Sequence, residues 1–546
     1  MKRTLLIGLA ALIVGAGTAL RPGAFDFAAP STAFARALPT ARDASDEGII
    51  TFAFGDWGAL SSDTLRTSAS PWKLANAALA LQAHDGDAEA AGVADIAGIY
   101  RSFGFHSPTS IGNWPAGLEE PPLLSPLGQN VGTALNTWPP VGATVANIGC
   151  ASCHSSVMYL PDGSPDTTRT WLGMPNGSIN LEAYTQTLFT AVRDYAGDAG
   201  KLMSVMDSLY PQTDWRERLT LRYAILPEFQ QAIAERDAEF GRLLPFRASL
   251  AGATNGLDSL QNRLGLIPEG VVLTESIFNS VPDLGGRLWR TKLLNSGTYA
   301  IAGIDHSVAI EAADITDAHR RGLAGIIAYF TVPSMGVTEA VAEAHIDDAT
   351  AITAWMQDYA PQPFPGEIDM ALAATGQQIY AAGCAECHGS YDDSLTNPEL
   401  TSFPNWEGDI GTDPQRARLL TQTIADAVNG GTFGPYINAR TVTGYTAPPL
   451  TGIWASAPYF HNGAVPTLWH MMRPETRPAV FEVGGHRLDL ARVGIDLSPP
   501  ADYVPWSIPA EVDTAAFGLS AGGHEVGFDV LGEAEKDALL EYLKLL

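Results

Sequence analysis

Four cysteines stand in the 546-residue chain, and they fall as two pairs, Cys150-Ala151-Ser152-Cys153-His154 and Cys384-Ala385-Glu386-Cys387-His388. Each is C-x-x-C followed at once by His, the spacing by which a c-type haem is attached. Two thiols held two residues apart can each add to one vinyl group of the same porphyrin, and the adjoining imidazole then lies under the iron as its proximal ligand. Other chemistries compete for such pairs. A four-cysteine zinc ribbon joins its pairs across about 15 to 20 residues, far less than the gap here, and each pair alone lacks two ligands. A redox dithiol calls for a βαβ setting, and neither it nor a structural disulfide explains the repeated histidine. The expectation is two covalently bound haem c groups. Cys150, Cys153, Cys384 and Cys387 are the attachment points, and His154 and His388 the iron ligands.

What a haem does is decided on its far side, where a strong sixth ligand gives an electron carrier and an open site binds peroxide or dioxygen. After His388 the candidates are His461, His470, Met471, Met472, His486 and His524. His524 lies in Ala521-Gly522-Gly523-His524-Glu525, where glycines permit a backbone that swings an imidazole over the porphyrin; the alternative is a solvated loop histidine. Met471 and Met472 follow Trp469 in an apolar stretch and read more readily as core filling. After His154 come Met158 and Met174, but no histidine until His306, with His319 and His345 farther along. His345 falls on a predicted helix and reads as a structural histidine. These positions point to an open or weakly ligated N-terminal haem with His154 as its catalytic residue. Trp171, Trp289 and Trp454 are candidate bridges between the haems, although a buried Trp is more often core packing.

Elements must position these groups. Gly376, Tyr380 and Cys384 recur at steps of four, on one face of a helix predicted over 370–382. The small residue would let a second helix cross, and the aromatic would cover the haem edge. The predicted crossing partner spans 533–546, with Ala534, Ala538, Leu539, Tyr542, Leu543 and Leu546 as its apolar stripe. Apolar residues at three- and four-residue steps predict further helices over 181–195, 228–244 and 338–359. No helix is predicted before the first motif, because residues 141–149 are rich in glycine and β-branched side chains, so that unit is expected to be divergent. Residues 46–149 read as loops and short helices. Pro361-Gln362-Pro363-Phe364-Pro365-Gly366 reads as a stiff connector. Strand signals are few and short. The expected fold is therefore mainly α, with two cytochrome c-like haem domains carrying long loops and insertions. Residues 1–35 would be an export signal, 36–360 an N-terminal haem domain with extended insertions, and 367–546 a C-terminal cytochrome c domain.

Lys2 and Arg3 precede an uncharged apolar run over 5–20, the layout of a secretory signal. The run is shorter than the roughly 20 residues of a membrane span and is interrupted by Gly8, Gly15 and Gly17. Cleavage fits Ala33-Phe34-Ala35 or a site near Ala19; an uncleaved anchor is the alternative, and only then would a membrane be a partner. The expected location is periplasmic or secreted. Sixty Asp and Glu against 32 Lys and Arg give a net charge of -28, which repels phosphate backbones and excludes nucleic acid as a partner. The same charge favours a small basic redox protein.

Residues 449–468 read Pro449-Leu450-Thr451-Gly452-Ile453-Trp454-Ala455-Ser456-Ala457-Pro458-Tyr459-Phe460-His461-Asn462-Gly463-Ala464-Val465-Pro466-Thr467-Leu468. With the two attachment motifs, this stretch resembles the bacterial di-haem cytochrome c peroxidase superfamily, which includes the tryptophan-tryptophylquinone maturation enzymes. The Asn147-Ile148-Gly149-Cys150 lead-in, residues 477–484 and Gly523-His524-Glu525 before Glu541-Tyr542-Leu543-Lys544 look closest to its rubber oxygenase-like branch. The resemblance runs from about residue 140 to 546. It implies that His524 is the axial ligand of the C-terminal haem, that His461 is a cofactor-binding histidine near it, and that the N-terminal haem is the reactive one. It also implies room for a calcium ion between the domains, though no acidic loop spells one out. Residues 181–332 show no signature of a polyisoprene pocket, so the substrate does not carry over. The function expected is an exported di-haem oxidoreductase, a peroxidase or oxygenase. Its N-terminal haem would activate hydrogen peroxide or dioxygen while its C-terminal haem relays electrons. The alternative is an electron-transfer cytochrome without substrate turnover; a gas sensor is disfavoured because no output domain is recognisable.

Overall fold

The computed structural model describes residues 29–34, 38–55, 70–123, 125–135, 142–231, 234, 250–267, 271, 273, 277–335 and 337–546. The apolar run at 5–20 lies outside them, as does most of the helix predicted over 228–244.

Asp369 starts the helix Met370–Gly383 by accepting hydrogen bonds from the amides of Ala371 and Leu372, and the helix delivers Cys384 at its end. Gly376 faces the helix Glu533–Leu543 so closely that an added methyl carbon would overlap the Ala538 carbonyl. Tyr380 packs its ring 5.4 Å from Tyr542 and 5.8 Å from Tyr391, and its hydroxyl donates to the Gly389 carbonyl at 2.9 Å. The helix crossing expected at Gly376 is therefore in place, and Tyr380 fills the angle beside it. Buried Arg473 secures the partner helix by bonding Glu533 at 2.7 Å and Asp537 at 2.8 Å.

Elsewhere the sequence reading needs correction. The helix Leu181–Tyr195 forms as expected, but the one expected over 338–359 is two, Glu339–Ala344 and Ile346–Asp358, broken at His345. Helices Ala44–Phe54 and Trp72–Ala83 lie largely in a region read as loops and short helices without clear periodicity, and both are mostly buried, so they show little polar face to betray them. Strands are more numerous than expected. The described residues form eight small sheets, with 40% of them helical and 15% in strands. The fold is thus mixed α and β rather than mainly α. Nor does the N-terminal half take the cytochrome c form expected of it. Its attachment motif sits in a single turn, Cys150–Ser152, between the strands Gly142–Ile148 and Ser155–Tyr159.

Three apolar cores hold these elements. The first joins Trp72–Ala83 to Leu181–Tyr195 and Ala199–Leu209. The second packs Ala44–Phe54 and Asp317–Met335 against Ile346–Asp358 and also takes in Leu420, Ile424 and Phe433. The third surrounds the crossed helices and admits Val157, Tyr159 and Met174 from the N-terminal side. Two sheets stitch across as well. Strand Tyr299–Ile301 pairs antiparallel with Ile437–Ala439, and Ile310–Glu311 with Leu400–Phe403.

The crossing at Gly376 yields a direct test. Gly376→Ala should cost about 1–3 kcal/mol, as overpacking of a dense contact does, and so lower the thermal unfolding midpoint measured by circular dichroism. An Ala variant melting at the wild-type temperature would mean that the helices can part without cost.

Candidate haem-binding sites

The two C-x-x-C-H histidines share one local arrangement. His154 Nδ1 donates to the carbonyl of Pro282 at 3.1 Å, and His388 Nδ1 donates to the carbonyl of Pro448 at 2.8 Å. Each bond fixes the tautomer and turns Nε2 away as a free lone pair, the state in which an imidazole ligates a metal. Burial pushes both imidazoles down to about 4; the proline carbonyls oppose this, while Arg287 near His154 and His524 near His388 add to it. Both rings are therefore neutral at neutral pH.

The prolines belong to a short repeat that the sequence reading missed. Pro282-Asp283-Leu284-Gly285-Gly286 and Pro448-Pro449-Leu450-Thr451-Gly452 share the spacing P-x-L-x-G. In each, the last glycine is left-handed, at φ 67° for Gly286 and 76° for Gly452, and opens a single helical turn, Arg287–Trp289 or Ile453–Ala455. Matching backbone bonds close the loops: Arg287 N to Leu284 O at 3.2 Å, and Ile453 N to Leu450 O at 3.0 Å. The loops also face each other. A methyl carbon on Gly286 would sit 2.8 Å from Pro449 Cβ, one on Gly452 would meet Asp283, and one on Gly285 would sit 2.8 Å from Thr451 Cγ2. These are equivalent positions exchanged, so an approximate two-fold axis passes between Gly285 and Thr451.

The thiols stand beside their histidines and are unbridged. Burial pushes Cys150 and Cys153 up to about 12 and Cys384 up to about 11. Thiols so placed stay protonated and are poor metal ligands on their own account. Among the described residues no group of three or more His, Cys, Asp or Glu side chains gathers to hold a metal ion, and that includes calcium.

The far sides differ. Over His388 stands His524, with ring centres 6.0 Å apart and planes inclined by 38°. Two imidazole nitrogens each about 2 Å from a shared metal leave ring centres about 6 Å apart, so the gap fits an iron. His524 sits at φ 52°, and one ring nitrogen, Nδ1, is buried without a partner. The paired thiols, neutral His388 and orphaned His524 thus suit a covalently held haem. The other candidates point elsewhere. His486 lies against Tyr159, His470 bonds Thr467 at 2.8 Å, and Met471 and Met472 pack in the third core. His461 stacks on Tyr445 at 4.1 Å and its Nε2 donates to the tyrosine oxygen at 3.1 Å, because that hydroxyl is spent on the Asp413 carbonyl. Its neighbour Phe460 lies 6.4 Å from His524.

On the first site, Cys150, Cys153 and His154 open into a cavity in which His154 is the sole histidine of the lining. Its walls are largely apolar, with Phe52, Leu181, Leu257, Phe330, Ile352 and Met356 among them. The other expected ligands do not line it. Met158 lies beside Gly112, Met174 is in the third core, and His319 bonds the Leu288 carbonyl at 2.7 Å. His345 bonds Asp348 at 2.5 Å, and His306 lies near Lys292 and Arg440. Of the tryptophans, Trp454 is fully buried and donates to the Gln362 carbonyl at 2.9 Å, whereas Trp171 donates to Ala360 at 3.1 Å.

Arg477 holds the His524 loop by donating to the carbonyls of Ala521 at 2.6 Å and Gly523 at 2.9 Å. Hydrogen bonds from a charged donor are worth about 1.5–3 kcal/mol. Arg477→Ala should therefore speed amide hydrogen exchange across 520–527 by about tenfold or more, read by mass spectrometry, while the crossed helices keep their protection. Unchanged exchange there would show that the loop holds itself.

Residues 444–482 match a family described as RoxA-like, cytochrome c-like. They span the Pro448 loop, Trp454, His461 and the turn that carries Arg473. Two proteins of Sinorhizobium fredii (strain NBRC 101917 / NGR234) are similar to parts of the chain. Uncharacterized protein y4iM is 33% identical over 167 residues, 26% of this chain and 37% of that protein. Uncharacterized protein y4iJ is 26% identical over 249 residues, 34% of this chain and 40% of that protein. The chain thus matches well under half the length of either relative. The region that forms the second histidine's loop is related to RoxA-like c-type cytochromes, a relationship that implies haem c.

Proposed function

We propose that the chain is an exported di-haem c-type oxidoreductase of the di-haem peroxidase superfamily. One haem is held by Cys150, Cys153 and His154, the other by Cys384, Cys387, His388 and His524. The duplicated histidine–proline loop supports two haems, since the same device positions a neutral imidazole beside each thiol pair. The observation that carries the division of labour is the contrast between far sides, His524 against His388 and an apolar cavity against His154.

A haem bound in that cavity would supply redox chemistry with hydrogen peroxide or dioxygen. The chain's own part is to orient and exclude. Burial keeps His154 neutral and the Pro282 carbonyl keeps it aimed, and Phe52, Phe330 and Ile352 give the cavity apolar walls that exclude water. At the other site the His524 loop, pinned by Arg477, faces His388, so that a haem held there would have a protein imidazole on each side and would be left to relay electrons. The close-packed loops of Pro282 and Pro448 connect the two sites. The net charge of -28 suits a small basic electron-transfer partner in the periplasm or outside the cell.

The holoprotein should carry two haems per chain by pyridine haemochrome assay, both retained on denaturing gels. The reduced protein should take up carbon monoxide at one of them. His524→Ala should turn the other high-spin in its absorption and paramagnetic resonance spectra and leave the original carbon monoxide site intact. A stoichiometry of one would sink the di-haem reading. Wild-type protein that takes up no carbon monoxide would replace the enzyme with an electron carrier, Met356 being the residue then placed to close the first site.

A further inference from the structure

The cavity over His154 is largely but not wholly apolar, for Arg290, Arg416, Asn295 and Tyr299 are also in its lining. Arg290, Asn295 and Tyr299 belong to or flank the small sheet in which Lys292–Leu293 and Ile437–Ala439 pair with Tyr299–Ile301, and Arg416, from the helix Gln415–Arg418, acts electrostatically on Tyr299. Arg290 is partly satisfied, donating to the Leu294 carbonyl at 2.9 Å and to the Thr446 hydroxyl. Arg416 is not. It is only 2% exposed and its Nη1 has no hydrogen-bond partner; the buried Asp258 carboxylate acts on it through space and offsets the cost of its burial only in part. Arg287, also in the lining, has a second orphaned Nη1.

A buried guanidinium with an unbonded nitrogen and no carboxylate bonded to it is costly, and a further counter-charge in the cavity would offset that cost. Desolvation presses Arg416 and Arg290 towards losing their protons, the strain that a bound anion relieves. The planar fork of five donors matches a carboxylate better than any other small anion except phosphate. A c-type haem fixed by its two vinyl groups to Cys150 and Cys153 brings two carboxylates, its propionates, into this same cavity.

We propose that Arg416 in the cavity lining marks a carboxylate site, and that it receives a propionate of the haem held by Cys150 and Cys153. The assignment rests on the haem reading given above. It makes Arg416 a cofactor-binding residue that no motif in the sequence marks. It also gives that residue an electrostatic role, since a fixed positive charge beside the porphyrin favours the ferrous over the ferric state.

The test is a redox titration of the holoprotein, following the haem that takes up carbon monoxide. Arg416→Gln should lower the ferrous-to-ferric ratio of that haem about tenfold at a fixed ambient potential, a shift readable for a one-electron couple. Arg416→Lys should restore most of it, and the low-spin haem should not move. An unchanged ratio in a fully loaded Arg416→Gln protein would overturn the assignment. Should the Gln variant fail to fold, wild-type protein still answers: the propionate bending band in its resonance Raman spectrum should shift in deuterated water if guanidinium protons bond it, and an unmoved band overturns the proposal. Dodecanoate separates a haem carboxylate from a substrate's. Stoichiometric binding that perturbs the haem spectrum in wild type but not in Arg416→Gln would show the site free for another carboxylate and would overturn the propionate assignment; no perturbation is the result expected. Wild-type protein lacking covalent haem at Cys150 and Cys153 would fail the underlying reading instead, which peptide mapping distinguishes.

Discussion

A single hydrogen bond, from a histidine Nδ1 to a proline carbonyl, is what the rest of the architecture serves. It is made twice, by His154 with Pro282 and by His388 with Pro448. A proline suits the acceptor's place because its fixed φ sets the direction of its carbonyl and it brings no amide of its own to be satisfied. The left-handed glycine four residues on reverses the chain, so that the loop can return to the core instead of running on over the histidine. Since the two loops pack on one another through Gly285 and Thr451, fixing one carbonyl helps to fix the other.

Around this shared centre the two sites are built by different means. The second is held by crossed helices, with Gly376 setting their distance, Tyr380 filling the angle between them and Arg473 gripping Glu533 and Asp537. The first is held by strands on either side of the turn Cys150–Ser152, by the Gly149 amide bonded to the Gly128 carbonyl at 2.7 Å, and by helices from two separate cores. Equivalent chemistry therefore stands on unlike scaffolds, and the stretch related to known cytochromes is confined to the second.

The chemistry was legible in the sequence because it depends on spacing: C-x-x-C-H is covalent geometry, and Gly522-Gly523 before His524 announces a backbone that can turn sharply. The attachment helix was legible for a similar reason, as Gly376 and Tyr380 keep a step of four. The fold class was not. Strand Ser155–Tyr159 is buried at every position, so it lacks the alternation by which a strand is read, and Trp72–Ala83 lacks a polar face for the same reason. The proline repeat escaped notice because it shares only Pro, Leu and Gly over five positions, and those residues gain meaning only when a histidine proton is seen resting on the first. Arg416 is silent in the sequence altogether, one arginine among several in a helical turn, and only its burial in an apolar cavity distinguishes it.

The order in which the chain is made bears on the crossed helices. Ribosomes deliver the N-terminal end first, so Cys384, Cys387 and His388 emerge long before Glu533–Leu543, the helix that covers the attachment helix. Until then Gly376 has no neighbour to accommodate and Tyr380 no Tyr542 to rest against. Cys384, which the finished fold half-buries and whose thiol that burial keeps protonated, stands during that interval without the covering helix. The later arrival of that helix separates a period of access from one of enclosure, and the bond from the Gly452 amide to the Leu546 carbonyl at 2.6 Å ties the second histidine's loop to a segment made after it.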